Sequence, residues 1–591
     1  MPSVHFPPCG PRCTPRARHG TRPERAEVHL PPACPPAHPS PPAAPPPTAL
    51  WLPLRAGTGC FSVGVCGKDA TTAAAQDALV HQLKAIGYWA TALREAGKEV
   101  PVSASEFTIR SAFSTLTNVN FDADAIANFS KAAAEAAGAK AEDAPATATW
   151  SPSAFDKDSV ATAGHAVGLE ARSAGADADV FAAQEMAVYG LKGAAAYACH
   201  ALEAGKSSEE VYARLHKVLA TLAAGPNASG VDLGSSLGLA LEVGAVNVNV
   251  MAMLDQGHTE KFGSPVPTPV NHARTAGKAI LVSGHDLVDL EALLQQTEGT
   301  GVNVYTHGEM LPAHGYPGLK KYSHLVGHYG GPWNLQKFEF RRFPGPILMT
   351  TNCIMEPQTA YADRIYTANE VGWPSTQHVT GRDYSKLIEQ AKAMEGFPET
   401  EPEKTTLTGF GHSAVMSVAG DVLKAIEDGN LKQLVLIGGC DGFEGERSYF
   451  TKLAQALPDE AAILTLGCGK FRVLNKTSGS AVIPNTGIPR VLDMGQCNDA
   501  YSAVHVATEL AGALKCGVND LPLSLALSWL EQKAVAVLLS LLHLGVKGIR
   551  VGPSAPAFVT PNIYKALQDG FDLKVVDADA AEADAAEMMR A

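Results

Sequence analysis

Four short segments of this chain share one pattern: an apolar run, one or more small or polar residues, and then a cysteine. They read PILMTTNCI, LVLIGGCDG, AILTLGCG and VLDMGQCN, and they contain Cys353, Cys440, Cys468 and Cys497. A short apolar run that ends near glycine is typical of a buried strand. In open α/β sheets, ligands bind outside the carboxyl ends of the parallel strands. The pattern therefore predicts an α/β fold in which four thiols converge on one site.

Composition narrows the class of protein. The chain has 591 residues, 46% of them hydrophobic, which is enough for two or three domains. Its net charge of −13 argues against a nucleic-acid groove or a polybasic membrane surface. No uninterrupted apolar run reaches about 18 residues, so we expect no membrane span. Eleven cysteines are too few for a disulfide scaffold and favour metal chemistry in a reducing compartment.

Residues 1–58 differ in composition from the rest of the chain. They are rich in proline and contain six arginines against only two acids, Glu24 and Glu27. Such a segment cannot form a hydrophobic core, so it is predicted to be a disordered leader. It is interpreted either as a transit peptide or as a gene-model artefact.

Residues 59–260 are predicted to form an iron–sulfur loop followed by a helical-bundle domain. Cys60 and Cys66 precede an alanine-rich amphipathic helix, and helical spacing continues from about Thr71 to Leu254. Closely spaced cysteines suit an iron–sulfur or zinc loop, although two thiols make only half of a tetrahedral site. Cys199 lies within a helix and is expected to be a small buried thiol.

After a segment rich in proline and glycine, strands alternate with helices in two successive units. We assign a first α/β domain to residues 261–400 and a second to residues 401–591, each Rossmann-like with a mainly parallel sheet. The second ends in an acidic, alanine-rich tail that is expected to fray. Two units of the same architecture would form a cleft between them.

Other candidate ligands accompany the four cysteines. His285 and Glu309 follow predicted strands, while Glu531 and Lys533 interrupt the apolar run LPLSLALSWLEQKAVAVLLSLL, which is interpreted as one helix. Charges in such a run are paired, metal-bound or at an exposed corner. Four sulfurs, one imidazole and two carboxylates exceed the needs of one zinc ion and favour a multinuclear iron centre. The alternative is that each cysteine only packs at a strand end. His314 suits proton transfer or a structural role.

Six motifs, in this order, resemble the hybrid cluster protein family, also called prismane proteins or hydroxylamine reductases. They are GVCGK, HGEMLPAHGYP, FPGPILMTTNCI, IGGCDG, LTLGCGKFR and IPRVLDMGQCNDAY. The resemblance covers about Gly59 to Leu573 and implies a helical domain followed by two Rossmann-like domains. It also implies a buried hybrid 4Fe-2O-2S cluster. Carried over by motif, its ligands would be His285, Glu309, Cys353, Cys440, Cys468, Cys497 and Glu531.

The family also has an N-terminal 4Fe-4S cluster bound by four cysteines. Cys60 and Cys66 match the last two of these, but the positions nine and twelve residues before Cys60 are Trp51 and Thr48, so the preceding CxxC is missing. This sequence therefore supplies half of the expected ligands. We expect that the leader replaces a shorter N-terminus that carries the other half.

The resemblance implies an oxidoreductase that reduces hydroxylamine to ammonia and water at the hybrid cluster. Lys533, Glu531 and His314 are the expected catalytic residues, and the electron donor would be a ferredoxin or an NADH-dependent reductase. The alternatives are a nitric oxide reductase or protein S-nitrosylase in nitrosative-stress defence, and a non-catalytic iron–sulfur sensor. The expected location is the cytoplasm, or a plastid or mitochondrion if the leader is a genuine transit peptide.

Overall fold

The protein is described by a computed structural model that covers residues 64, 66–136, 144–556 and 558–590. These residues belong to one compact unit. The proline-rich leader and Cys60 lie outside the described residues.

The first part of the described chain is helical, as the alanine-rich spacing predicts. Aspartate and serine side chains cap several helix N-termini, among them Asp69 on α1 (Ala70–Glu95) and Ser208 on α8 (Glu209–Ala223). The long helices α7 (Ala178–Glu203) and α9 (Leu233–Phe262) pack along each other and against α18 (Gln532–His543) from the far end of the chain. The helices of this part are α1 (Ala70–Glu95), α2 (Val102–Ser114), α3 (Ala123–Ala136), α4 (Ala146–Thr149), α5 (Lys157–Val167), α6 (Leu169–Ser173), α7 (Ala178–Glu203), α8 (Glu209–Ala223) and α9 (Leu233–Phe262).

Helix α9 is long and apolar enough, by length and composition, to cross a membrane. Its sequence is not an uninterrupted apolar run, because it contains Glu242 and several small polar residues. Half of its most apolar stretch is buried inside the protein, where it contacts α7 and α18. This is the burial pattern of a core helix.

The first α/β unit contains a six-stranded, fully parallel sheet in the order β4-β3-β2-β5-β6-β7. Its central strands are buried on both faces, as expected for a parallel sheet covered by helices. Its strands are β2 (Lys278–Ser283), β3 (Val302–Thr306), β4 (Leu325–His328), β5 (Ile347–Met349), β6 (Ile365–Thr367) and β7 (Gln377–His378). Its helices are α10 (Leu287–Thr297), α11 (Pro317–Lys320), α12 (Gln336–Arg342) and α13 (Ser385–Ala393).

The second α/β unit repeats this topology in the order β11-β10-β9-β12-β13-β14, again with every pair parallel. Its strands are β9 (Gln433–Gly439), β10 (Ala461–Thr465), β11 (Val491–Asp493), β12 (Leu523–Ser528), β13 (Arg550–Gly552) and β14 (Lys574–Val575). Its helices, besides α18, are α14 (His412–Ser417), α15 (Ala419–Glu427), α16 (Ser448–Ala456), α17 (Ala500–Leu514), α19 (Pro561–Phe571) and α20 (Ala581–Met588). A two-stranded antiparallel sheet of β1 (Thr268–Asn271) and β8 (Thr405–Thr408) accompanies the two units.

Both sheets have the 3-2-1-4-5-6 strand order of doubly wound folds, in which the strand order reverses beside the first strand and ligands bind at that point. The predicted fold class, a helical part followed by two Rossmann-like units with parallel sheets, is confirmed.

Two local predictions were wrong. The apolar run around Glu531 is not one helix, because β12 ends at Ser528 and α18 starts at Gln532. The acidic tail does not fray. It forms α20, whose Met588 is buried, and its Asp584 accepts a hydrogen bond of 2.6 Å from the Tyr449 hydroxyl. Ala581, Ala585 and Met588 recur at helical spacing, so they form one face of α20 that packs on the second sheet unit.

Candidate metal centre

Seven candidate side chains all follow carboxyl ends of strands. In the first sheet, His285, Glu309 and Cys353 follow β2, β3 and β5. In the second sheet, Cys440, Cys468, Cys497 and Glu531 follow β9, β10, β11 and β12. The strand pairs β2/β5 and β9/β12 flank the points where the strand order reverses. The two sheets thus present their ligand-binding ends to each other.

The backbone conformation places two of the cysteines at this edge of the sheets. Gly439 has a φ of +106°, and a Cβ there would lie 2.1 Å from the Ser528 carbonyl oxygen, so only glycine lets β9 approach β12 before the chain turns to Cys440. Cys440 N then donates to Ser528 O at 2.8 Å. Cys353 has a φ of +79°, which is uncommon for a residue with a side chain. Its backbone N–H is held by Asn118 O of the helical part, at 2.9 Å.

One cluster of metal-binding atoms is already assembled. His285, Glu309 and Cys497 each offer a ligand atom, and these atoms lie within 4.8 Å of one another. The Nδ1 atom of His285 hydrogen-bonds to Thr351 Oγ1 at 2.9 Å, which fixes the ring. Its buried Nε2 lies 3.3 Å from Glu309 Oε2 and has no hydrogen-bond partner. A buried imidazole nitrogen of this kind is available to bind a metal.

Glu309 connects the first sheet to the cysteine loops of the second. Its Oε1 accepts from the backbone N–H of Cys468 at 3.1 Å, and its Oε2 accepts from that of Cys497 at 2.6 Å. Burial by itself would raise the pKa of Glu309, but His285 and Lys533 outweigh it and hold this pKa below its usual value. The carboxylate is therefore ionised.

The other thiols lie in apolar surroundings. Cys353, Cys440 and Cys468 belong to one hydrophobic cluster with Trp333 and Leu530. Burial is the main cause that raises the pKa of Cys440 to about 12 and the pKa values of the other site thiols well above normal. Buried thiols become thiolates when a metal ion offsets the loss of hydration.

Glu531 and Lys533 belong to the same site, which excludes the alternative of an exposed helix corner. Glu531 is the N-cap of α18 and accepts from the backbone N–H of Lys533 at 3.2 Å; both side chains are buried. Burial raises the pKa of Glu531, and Lys533 offsets part of that rise. Burial lowers the pKa of Lys533, but Cys497, Glu531 and Glu309 outweigh it and raise this pKa above its usual value.

Lys533 is held by residues that the sequence analysis missed. Its Nζ donates to Asn352 Oδ1 at 3.0 Å and to Asn498 Oδ1 at 3.4 Å, and it lies 5.7 Å from the centre of the Tyr197 ring. Asn352 and Asn498 directly precede and follow two of the candidate cysteines. Their position beside a cysteine was the available signal, but asparagine has no strong preference for metal sites.

The described contacts of two other predicted residues, His314 and Cys66, lie with other groups. His314 hydrogen-bonds through Nε2 to Thr306 Oγ1 at 2.9 Å, and burial, aided by His272, lowers its pKa to about 4, so it is neutral at physiological pH. Cys66 lines a separate cavity of about 200 Å³ that extends to Gln532, and its expected partner Cys60 is outside the described residues. Cys199 is a buried thiol, as predicted.

The residues at the centre fit a multinuclear iron site better than a single ion. A nearly preformed nitrogen, oxygen and sulfur triad lies beside three further thiols and a second carboxylate, and one buried nitrogen lacks a hydrogen-bond partner. One zinc ion takes four ligands. The mixture of soft and hard donors suits irons bound by both sulfur and oxygen.

Comparison with known proteins identifies the family. Residues 55–586 match the Prismane/CO dehydrogenase family, and the chain belongs to this family. A hydroxylamine reductase of Rhodospirillum rubrum is 49% identical over 534 residues, which cover 88% of this chain and 95% of the relative. A hydroxylamine reductase of Zymomonas mobilis is 46% identical over 543 residues, which cover 91% and 98%.

A solved structure shares the fold. The carbon monoxide dehydrogenase of Thermococcus sp. AM4 superimposes with a TM-score of 0.53 at 16% identity, over 93% of this chain and 91% of that one. The resemblance stated from the motifs is thus confirmed at the level of the family. Membership in this family implies iron–sulfur clusters.

Proposed function

We propose that this protein is a hydroxylamine reductase, an oxidoreductase that converts hydroxylamine, two electrons and two protons into ammonia and water. The observation that carries the proposal is the convergence of a histidine, two carboxylates and four thiols at the facing ends of two sheets. Support also comes from relatives of this name that are 46–49% identical over nearly their whole length. A redox site with nitrogen, oxygen and sulfur donors suits the two-electron cleavage of an N–O bond.

We assign the hybrid 4Fe-2O-2S cluster of the family to this centre. Its proposed ligands are His285, Glu309, Cys353, Cys440, Cys468, Cys497 and Glu531. When bound, such a cluster supplies electrons and a Lewis-acidic iron. We further propose that Cys60 and Cys66 contribute to a 4Fe-4S cluster.

Lys533 is the proposed proton donor. Its ammonium group is buried, protonated and held by Asn352 and Asn498 on the inner side of the centre. From there it can donate a proton to the hydroxyl oxygen of hydroxylamine as the N–O bond breaks, so that the oxygen leaves as water rather than hydroxide. Glu531 fixes the start of α18 and so positions this lysine.

The test is product formation by anaerobically purified protein. With reduced methyl viologen as donor, we expect one ammonia for each hydroxylamine consumed, together with bound iron and labile sulfide. Cys440→Ala should lose activity and part of the iron. The matched control Cys199→Ala removes a buried thiol outside the centre and should keep both. Iron-loaded protein that forms no ammonia would refute the proposal.

A cavity beside the centre favours nitric oxide as a second candidate substrate. A cavity of about 300 Å³, lined mainly by leucine, valine and alanine, reaches Cys440 and Cys497. Hydroxylamine loses hydrogen bonds with water on entering such a space, whereas nitric oxide does not. Nitrous oxide in place of ammonia as the main product would favour nitric oxide reduction.

The remaining proposals concern partners and location. Reduction needs an electron donor, for which we propose a ferredoxin or an NADH-dependent reductase. We propose the cytoplasm as the location. We also propose that the chain divides into a helical domain at residues 59–260, a first α/β domain at residues 261–400 and a second α/β domain at residues 401–591.

A further inference from the structure

Helix α12 lies between the proposed metal centre and the protein surface. On its inner side, Gln336 donates through Nε2 to the carbonyl oxygen of Cys353 and accepts through Oε1 from the backbone N–H of Met355 at 3.2 Å. The first residue of α12 is thus hydrogen-bonded to the backbone of a proposed ligand.

The outer side of α12 is aromatic and basic. Phe338 is 66% exposed, and Arg341 and Arg342, three and four positions further along the helix, are also exposed. Neither arginine forms an ion pair with any residue that the structure describes. Lys337 pairs with Glu356 at 2.9 Å.

The acid within the helix does not neutralise this surface. Glu339 turns inward, where its Oε2 lies 2.9 Å from His307 Nε2. Phe338, Arg341, Arg342 and Lys337 line one surface groove together with Gln358. We call these five residues the α12 surface.

A second exposed aromatic side chain lies close to the start of α12. Phe443 is 66% exposed and packs edge-on against Trp333, at 5.6 Å between ring centres. Trp333 belongs to the same hydrophobic cluster as Cys353 and Cys440, and the neighbouring Asn334 donates to Gly442 O at 2.8 Å. An exposed aromatic ring therefore contacts the hydrophobic cluster that contains Cys353 and Cys440.

We propose that the α12 surface docks an acidic, one-electron donor protein that reduces the metal centre. The proposal rests on the proposed function. Unpaired arginines beside an exposed phenylalanine are the composition of a protein-binding hot spot. They form a positive surface on a chain whose net charge is −13, so they favour a partner with a negative docking face. The contact with Cys353 gives this surface a short path to the centre.

The experiment measures reduction of the iron-loaded protein by a reduced, acidic plant-type ferredoxin, followed by stopped-flow absorbance at several salt concentrations. We expect the rate for the wild-type protein to fall with salt. For R341E/R342E we expect a loss of about tenfold or more at low salt, and little remaining salt dependence. Phe338→Ser should weaken binding of oxidised ferredoxin without changing the salt dependence.

The control K424E/K565E reverses the same number of charges on exposed lysines of other helices and should reduce the rate far less. An equal loss in both double variants would mean a general charge effect and would overturn the proposal. So would an unchanged rate in R341E/R342E, or a finding that this variant only dissociates a self-associated form of the protein. Ammonia formation with methyl viologen, which needs no docking, tests the proposed function separately.

Discussion

At the scale of the residue, the geometry of the centre depends on the side chains beside the proposed ligands as much as on those ligands. Asn352 and Asn498 hold the Lys533 ammonium between two cysteine loops, while Thr351 fixes the ring of His285. None of these contacts can be read from spacing, because each joins residues from different strands. The cysteines were predictable because each follows its own apolar run.

Replacing Lys533 by methionine tests the proton donor, since methionine has a similar length and no charge. We expect hydroxylamine turnover to fall by about 10²–10⁴-fold, the usual contribution of general acid catalysis, with iron content unchanged. Ammonia formation and iron per chain are the measurements. Lys424→Met, which removes an exposed lysine paired with Asp428, is the control. Full turnover in K533M would exclude this role.

A buried ion pair holds the loops that carry Cys468 and Cys497. Lys470 Nζ lies 2.6 Å from Asp493 Oδ1 and donates to Gly495 O at 2.8 Å, with both charged side chains fully buried. Lys470→Met leaves Asp493 without its cation, a change that costs about 3–5 kcal/mol in buried pairs. We expect a lower melting temperature and weaker iron retention.

The double variant K470M/D493L distinguishes an unpaired charge from a lost contact. It should recover part of the stability, because no buried charge remains, although Thr408 Oγ1 then loses its acceptor. A single variant that melts at the wild-type temperature would contradict this account.

At the scale of the element, glycines decide how closely the helices approach. A Cβ on Gly193 of α7 would lie 2.3 Å from Gln532 O at the start of α18, and one on Gly244 of α9 would lie 2.2 Å from Leu539 O. These close approaches set α18, and with it Lys533, against the helical part. The alanine-rich helices that contain these glycines could be predicted from the sequence. The sequence did not show which glycines lie where two helices cross.

Gly193→Ala should therefore destabilise the protein by about 1–3 kcal/mol, because the clash is with backbone that cannot rotate away. Gly238→Ala, at an exposed position of α9 with open space around it, should instead stabilise the protein by about 0.5–1 kcal/mol through helix propensity. Thermal unfolding of both variants gives the comparison. A Gly193→Ala variant that is as stable as the wild-type protein would show that α7 can move away from the start of α18 without cost.

At the scale of the whole molecule, the centre connects three regions that are far apart in sequence. The helical part supplies Asn118 and Tyr197, which contact the centre through its backbone. The first sheet supplies His285, Glu309 and Cys353, and the second sheet supplies the other proposed ligands. A metal cluster bound by ligands from both sheets would therefore link these regions to one another.

Removing the iron should accordingly lower the melting temperature of the whole protein, because metal binding to the folded state adds to its stability. We would compare anaerobically purified protein with protein produced under iron limitation, by differential scanning calorimetry. Protein with iron and a chelator in the buffer is the control, since the buried centre should resist extraction. Equal melting temperatures with and without iron would mean that the regions associate without help from the centre.

The sequence by itself determined the helical first part, the two parallel sheets, the strand-end cysteines and the family. The helical part follows from 3.6-residue spacing and the strands follow from short apolar runs, and both are set by neighbours along the chain. The family follows from six sequence motifs. Only the tertiary structure decided that Glu531 and Lys533 are buried beside the cysteines, that His314 hydrogen-bonds to Thr306, and that α20 packs on the second sheet unit. It also decided that α12 carries an exposed basic face next to Cys353. Burial depends on contacts between distant segments, and no local pattern contains that information.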